Sequence, residues 1–349
     1  MRNNGLRFWS ILALLLGLPA AVPAQTFVPP PTLTSSVPDT PASSVLTQEP
    51  TLDWLRNGVP VLRGLSFYGE LLLVMPQRDG LQNAVVTHSA NGMTSSTAES
   101  LSWSTTPALR IGGAYQLPGT GIELAATFTY LHAKDQQTVL AGPGDSLFGT
   151  YSNNPNARTA GSSDGDAGLS YGVVDLDVGK SIHVDDAFSF KVFGGVRMAV
   201  IDQTLKSIYS GGSLGSSPDY VDIPINFRGA GLSAGGEANW NVFRGWGLYG
   251  RGRVALLSGE FTTDRNEYVG GASYSSSSVQ YGTIIPVVEL GGGLNYRGER
   301  LLFSAGYELI DWINMVSGVS NSSSPGQGLT PKKGDLTLEA VTFRLGYRF

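Results

Sequence analysis

From Gly64 to the C-terminus, apolar and polar residues alternate with period two, the spacing that sends successive side chains to opposite faces of a strand. Gly121 to His132 sets Ile122, Leu124, Ala126, Phe128 and Tyr130 against Glu123, Ala125, Thr127 and Thr129. Before it, Leu109, Ile111, Gly113, Tyr115 and Leu117 oppose Arg110, Gly112, Ala114 and Gln116, with Pro118-Gly119-Thr120 as the turn. The same pattern predicts a hairpin from Tyr171–Lys180 and Phe188–Val200. A third joins Gly229–Val242 to Leu248–Leu256, and a fourth joins Ile284–Tyr296 to Leu301–Leu309. Single strands at Leu65–Pro76 and Asp335–Phe349 bring the total to ten, or twelve if a hairpin hides in Gln77–Thr106 or Ala133–Ala167.

The connections alternate long and short. Long stretches rich in Ser, Gly, Asn and Asp (77–106, 133–167, 206–222, 259–280 and 316–334) interleave with turns at Pro118, Ile182–Ala187, Arg244 and Gly298. Short turns at one end and long loops at the other are the sequence form of an outer-membrane barrel, with the short turns periplasmic and the long loops extracellular. A soluble exported sandwich would expose its polar face to bulk water and favour Lys and Glu there, whereas Gly, Ala and Thr dominate. The fold expected is therefore all-β: a transmembrane, antiparallel, up-and-down barrel.

Composition narrows this further. The chain has 349 residues, 46 of them glycine, and only 15% are charged, a mix that disfavours long helices. Beyond the N-terminus no apolar run nears the ~20 residues of a spanning helix. With no cysteine there is no disulfide framework or thiolate metal site. A formal charge of −5 without a basic face argues against nucleic-acid binding. Arg2 and Arg7 before the apolar Phe8–Leu18, then Val22-Pro23-Ala24, read as a signal peptide over residues 1–24. Residues 25–63, with Pro29-Pro30-Pro31, Pro38, Pro41, Pro50 and Pro60, read as a periplasmic Pro/Ser/Thr-rich linker before the barrel at 64–349.

Parity assigns the charged lumen. Glu70, Glu123, Asp175, Asp177, Glu237, Glu289 and Glu308 face inward with Arg110, Lys191, Arg197, Arg251, Arg253, Arg344 and Arg348, seven acids against seven bases. A barrel of about ten strands is narrow. Balanced charges there favour a salt-bridged filling, while inward Gly112, Ala114, Ala125, Gly195, Gly231, Ser233, Gly291, Gly293 and Gly306 leave room for a thin water path. At the C-terminus, Val341, Phe343, Leu345, Tyr347 and Phe349 alternate with Thr342, Arg344, Gly346 and Arg348, ending on a terminal aromatic. Phe343, Leu345, Tyr347 and Phe349 are similar to the signature read by the outer-membrane assembly machinery, the expected partner besides lipid and small solutes or ions.

Chemical motifs are weak. Gly231-Leu232-Ser233-Ala234-Gly235 spells G-x-S-x-G, but no helix follows and the last histidine is His183, so the triad order fails. His88, His132 and His183 form no metal-ligand set, and no cofactor is expected. His132 with Asp135 is the one pair from which a barrel hydrolase could be built.

Phe67-Tyr68-Gly69-Glu70-Leu71-Leu72, the stretch Gly194 to Gln203, and Gly229-Ala230-Gly231 leading into Leu248-Tyr249-Gly250-Arg251-Gly252 resemble the Legionella-type, major-outer-membrane-protein-like family of pore-forming barrels abundant in planctomycetes. Arg197-Met198 stands where those proteins often carry Tyr or Arg-Tyr. The resemblance implies an outer-membrane location and a pore, with no substrate assigned. The function expected is a narrow passive pore for ions or small solutes rather than an enzyme. The alternative is a non-conducting structural or adhesive barrel displaying its outer loops, with a barrel hydrolase last.

Overall fold

The computed structural model describes residues 64–320 and 330–349, so the expected signal peptide and linker lie outside the described residues. In chain order the strands are β1 (Leu65–Arg78), β2 (Gln82–Ala90), β3 (Met93–Ser100), β4 (Thr106–Gln116), β5 (Ile122–Leu140), β6 (Asp145–Gly149), β7 (Ser162–His183) and β8 (Phe188–Ser210). They continue with β9 (Asp219–Phe243), β10 (Trp246–Val269), β11 (Ala272–Arg297), β12 (Leu301–Trp312), β13 (Val316–Ser320), β14 (Thr330–Lys333) and β15 (Leu336–Arg348).

Ten of these close an antiparallel barrel in the order β1-β15-β12-β11-β10-β9-β8-β7-β5-β4, as expected. The first and last strands seal it, with Phe67 opposite Tyr347 and Leu71 opposite Phe343. Without that seam, a row of backbone N–H and C=O groups would face hydrocarbon with no partner. The remaining strands stay out of the barrel: β2, β3 and β6 form a separate three-stranded sheet and β13 pairs with β14. A hairpin does hide in 77–106, but it adds no wall strand.

Much of the long extracellular connections is strand. β10 runs on to Val269 and β11 starts at Ala272, so the stretch 259–280 is a continuous ladder turned by Gly270 and Gly271. Both glycines have positive φ (56° and 83°), the requirement of a type I′ hairpin turn. Asn91 (φ 54°) and Gly92 (φ 77°) turn β2 into β3 in the same way.

The wall reverses its polarity along its height. On β10 the outward residues Trp246, Leu248, Val254 and Leu256 are exposed and apolar, whereas Ser258, Glu260, Thr262, Asp264 and Asn266 continue the same face in polar form. Trp246 to Leu256 is eleven residues, matching the ~9–11 that a tilted strand needs to cross hydrocarbon. β5 changes between Tyr130 and His132, β8 between Val200 and Asp202, and β15 between Val341 and Glu339. Above that level the outside meets water, and the apolar residues move inside.

Candidate functional site: the lumen

Three layers stack inside the barrel. The charged residues assigned by parity all sit at inward positions in the periplasmic half, and ten of them form two connected ion-pair groups. In the first, Arg110 reaches across from β4 to Glu308 on β12 with two hydrogen bonds of 2.8 and 3.0 Å. Arg110 also donates to Glu70 at 3.2 Å, Glu70 accepts from Arg344 at 2.9 Å, and Arg251 donates to Glu308 at 2.5 Å. In the second, Arg197 on β8 holds Asp175 at 2.7 and 2.9 Å and Glu289 of β11 at 2.6 Å. Arg253 completes this group by donating to Asp175 at 2.9 Å and Asp177 at 2.6 Å.

The first group carries three arginines and two acids, the second two arginines and three acids, so their excess charges cancel. Arg197 and Glu308 are each 2% exposed, so these are desolvated pairs whose partners are mutually indispensable. Two rings add support: the Arg344 guanidinium lies 4.4 Å over Tyr68 and that of Arg253 lies 4.8 Å over Phe193.

A cavity of about 130 Å³ runs through the ion-pair layer, lined by Glu123, Lys191 and Glu237 toward the periplasm, by Arg110, Asp175 and Arg197 within the layer, and by Tyr171 at its outer end. Lys191 pairs with Glu123, and Glu237 accepts from Asn239 at 2.8 Å. Arg348 stands exposed at the periplasmic rim.

Toward the outside, the inward face turns mainly apolar, with Gln203 and Thr263 buried among the apolar residues and Arg265 and Glu267 above them, so the dense charge layer belongs to the periplasmic half. On β10 the change comes between Arg253 and Ala255, on β11 between Glu289 and Val287, on β12 between Glu308 and Ile310. Leu257, Ile201, Ile225 and Ile285 fill this level with an aromatic chain from opposite walls. Tyr171 of β7 packs edge-on to Trp312 of β12 at 5.8 Å; Trp312 meets Phe227 at 6.4 Å, Phe227 meets Phe261 at 4.7 Å, and Phe261 stacks on Tyr281 at 5.6 Å. Trp312, Phe227 and Phe261 are fully buried. Glycine makes the fit possible: a Cβ at Gly229 or Gly259 would come within 2.6 or 2.5 Å of the Phe227 ring.

Above this layer the barrel carries a platform. The indole of Trp103 donates to the Ala167 carbonyl at 3.1 Å, Tyr151 to that of Gly80 at 2.7 Å, and Tyr209 to that of Asn83 at 2.8 Å. Glu267, with no exposed surface, accepts from the backbone of Asn153 at 2.8 Å and of Asn154 at 3.1 Å. Burial raises the Tyr151 phenol above its ordinary range, opposed by Arg78 and reinforced by Tyr209. The segments expected as long extracellular loops are thus tied to one another and to β7, β8 and β10 by buried hydrogen bonds.

The hydrolase pair is not assembled. His132 points outward with Nδ1 2.9 Å from Ser170 Oγ, while Asp135 points inward and accepts from the Ser102 backbone at 3.0 Å. Ser233 lies mid-strand in β9, where no nucleophile elbow exists.

A closed ten-stranded wall with an apolar belt outside defines an outer-membrane β-barrel. The family described as Legionella pneumophila major outer membrane protein precursor matches residues 63–349, and the chain belongs to that family. No curated protein matches it. Among solved structures it is similar to the outer membrane protease OmpT of Escherichia coli, with 9% identity over 82% of this chain and 96% of that one, at a TM-score of 0.44. The translocator domain of the autotransporter NalP from Neisseria meningitidis shares 12% identity over 85% and 96% of the two chains, at 0.34. A mutant of the monoaromatic hydrocarbon channel TodX shares 10% over 82% and 91%, also at 0.34.

Proposed function

We propose that this barrel is a closed structural element of the outer membrane that holds a β-built platform at the cell surface, and not an open diffusion pore. The observation that carries this reading is the aromatic chain from Tyr171 through Trp312 and Phe227 to Phe261, which crosses the lumen directly outside the ion-pair layer. Ions entering from the periplasm meet cross-linked guanidinium and carboxylate groups, then a level filled by aromatic and aliphatic side chains that carries no charged group to replace their water. The 130 Å³ cavity then ends at Tyr171, the first ring of the aromatic chain. In planar bilayers the purified chain should give no steady unitary steps at any voltage short of membrane breakdown. Reproducible steps would overturn the reading and favour the narrow pore that the small inward residues suggest.

The C-terminal strand has a second role in this proposal, as the segment the assembly machinery recognises. Phe343, Leu345, Tyr347 and Phe349 all face outward and are exposed. Phe349 packs edge-on against Phe67 at 6.2 Å and Tyr347 at 4.9 Å, and its N–H donates to Leu65 at 3.0 Å, so it also locks the seam. Deleting Phe349 should reduce the heat-modifiable, membrane-inserted form in cells, while protein refolded in detergent keeps its barrel circular dichroism. Normal insertion of the truncated chain would count against recognition through this strand.

A further inference from the structure

Parity gives the lumen seven acids and seven bases, and Arg297 on β11 adds an eighth base. Arg297 stands opposite Leu302 of β12, Leu302 opposite Gly346 of β15, and Gly346 opposite Tyr68 of β1, so the four form one row of the wall. Directly opposed residues share a face. That face is the lumen, because the Tyr68 hydroxyl lies 2.8 Å from Thr127 Oγ1 and its ring lies under the Arg344 guanidinium. Having no side chain, Gly346 leaves the row hollow at its centre, where a Cβ would meet nothing closer than 3.5 Å. Arg344 and Arg348, two residues to either side of Gly346 on the same face, stand above and below this hollow, and Arg297 faces it from β11. All three arginines border one cavity of about 180 Å³ that reaches the periplasmic turn at Gly298 to Arg300.

The charges around the hollow are unmatched. Among the described residues neither Arg297 nor Arg348 makes an ion pair. The Nε of Arg297 is buried without a partner. Arg344 donates Nε and Nη2 to Glu70 at 3.3 and 2.9 Å, which leaves its Nη1 outside that pair. Glu237 is the lumen acid whose charge reaches Arg297, but it accepts from Asn239 at 2.8 Å and pairs with neither arginine. Glu299 borders the cavity only from the exposed turn. Two unpaired guanidinium groups at one hollow leave room for two negative charges. Their donors come from two strands at two heights, which suits a tetrahedral oxyanion better than a flat carboxylate. Lipid lies on the other side of the wall, so the occupant arrives through periplasmic water.

We infer that the periplasmic mouth of the lumen binds one phosphate group, as the free ion or as a small phosphomonoester, between Arg297 and Arg348 over Gly346. This goes beyond the closed-barrel reading and does not depend on it, since the mouth lies on the periplasmic side of the ion-pair layer whether or not the lumen conducts.

The test titrates the full chain, refolded in detergent, with inorganic phosphate at constant ionic strength and follows phosphorus-31 line broadening. Saturation at one phosphate per barrel is expected. Arg297→Gln with Arg348→Gln should weaken binding by roughly tenfold. Gly346→Val, which fills the hollow and keeps every arginine, should weaken it as well. Arg158→Gln, which removes an exposed arginine between β6 and β7 at the extracellular end, should leave it unchanged. Heat-modifiable mobility reports folding, and if the double variant does not fold, Arg348→Gln alone, an exposed side chain, should show a smaller loss in the same direction. Glycerol phosphate binding more tightly than phosphate would assign the site to phosphomonoesters, and the reverse order to the free ion. Absence of saturable binding, acetate binding as tightly as phosphate, or an equal loss in the Arg158 variant would overturn the site.

Discussion

Replacing Arg197 by alanine should lower the stability of the refolded barrel by roughly 3–5 kcal/mol, read as a fall in the denaturant midpoint in lipid vesicles. Arg197 is 2% exposed and neutralises Asp175 through two hydrogen bonds and Glu289 through a third. Its removal leaves three acids with Arg253 as their only cation in the group, in a lumen that water cannot fully enter. The loss is mainly the cost of stranded charge, so neutralising the strand partners should recover much of it. Arg197→Met combined with Asp175→Asn and Glu289→Gln is expected to lie well above Arg197→Ala, because neutral groups of similar shape carry a far smaller desolvation cost. A destabilisation below about 1 kcal/mol for Arg197→Ala would mean that the layer is solvated like a surface pair. The closed-lumen reading would then lose its inner barrier.

The periplasmic half was readable from the chain because a single physical rule operates there: lipid outside, polar filling inside. Ile122, Leu124, Phe128 and Tyr130 reveal their face by type alone, and the charges opposite them follow by parity. The pairing among those charges was not readable. Arg110 meets Glu308 across three strand-to-strand steps, and such partners depend on the stagger of the closed barrel, which no local pattern encodes.

The outer half follows the opposite rule. Val221, Ile223, Ile225 and Phe227 alternate with Tyr220, Asp222, Pro224 and Asn226, a clear period of two. Its phase, however, is opposite to that of Ala230 and Leu232 on the same strand, because the solvent outside has changed from lipid to water. A search for outward apolar residues alone takes this stretch for loop. Ser275 to Ser278 has loop composition yet pairs in register with Glu267 to Asp264, where the neighbouring strand, not intrinsic preference, decides the conformation. Two local signals in the chain mark these features. Asn91-Gly92 is the strongest short hairpin motif, and His132 and Asp135, three apart on one strand, must face opposite sides.

The level at which the wall reverses can be measured on a single strand. Leu290 lies midway between Tyr296 and Ile284 on the outward apolar face of β11 and is 57% exposed, whereas Gln280 continues that face above Gly282. Leu290→Arg should destabilise the barrel in vesicles by about 2–4 kcal/mol, and Gln280→Arg by about 0–1, because the penalty for a guanidinium falls steeply from the bilayer midplane to the interface. Both substitutions place the same group on the same strand, so the difference reports depth alone. It also tests why the interior is built as it is. If Gln280 lies in water, the apolar residues just below it on the inner face, Tyr281 and Ile285, sit where lipid ends and are held inside the barrel with their neighbours, which is what closes the lumen. Equal costs at the two positions would place residue 280 in hydrocarbon, and the apolar filling would need another cause.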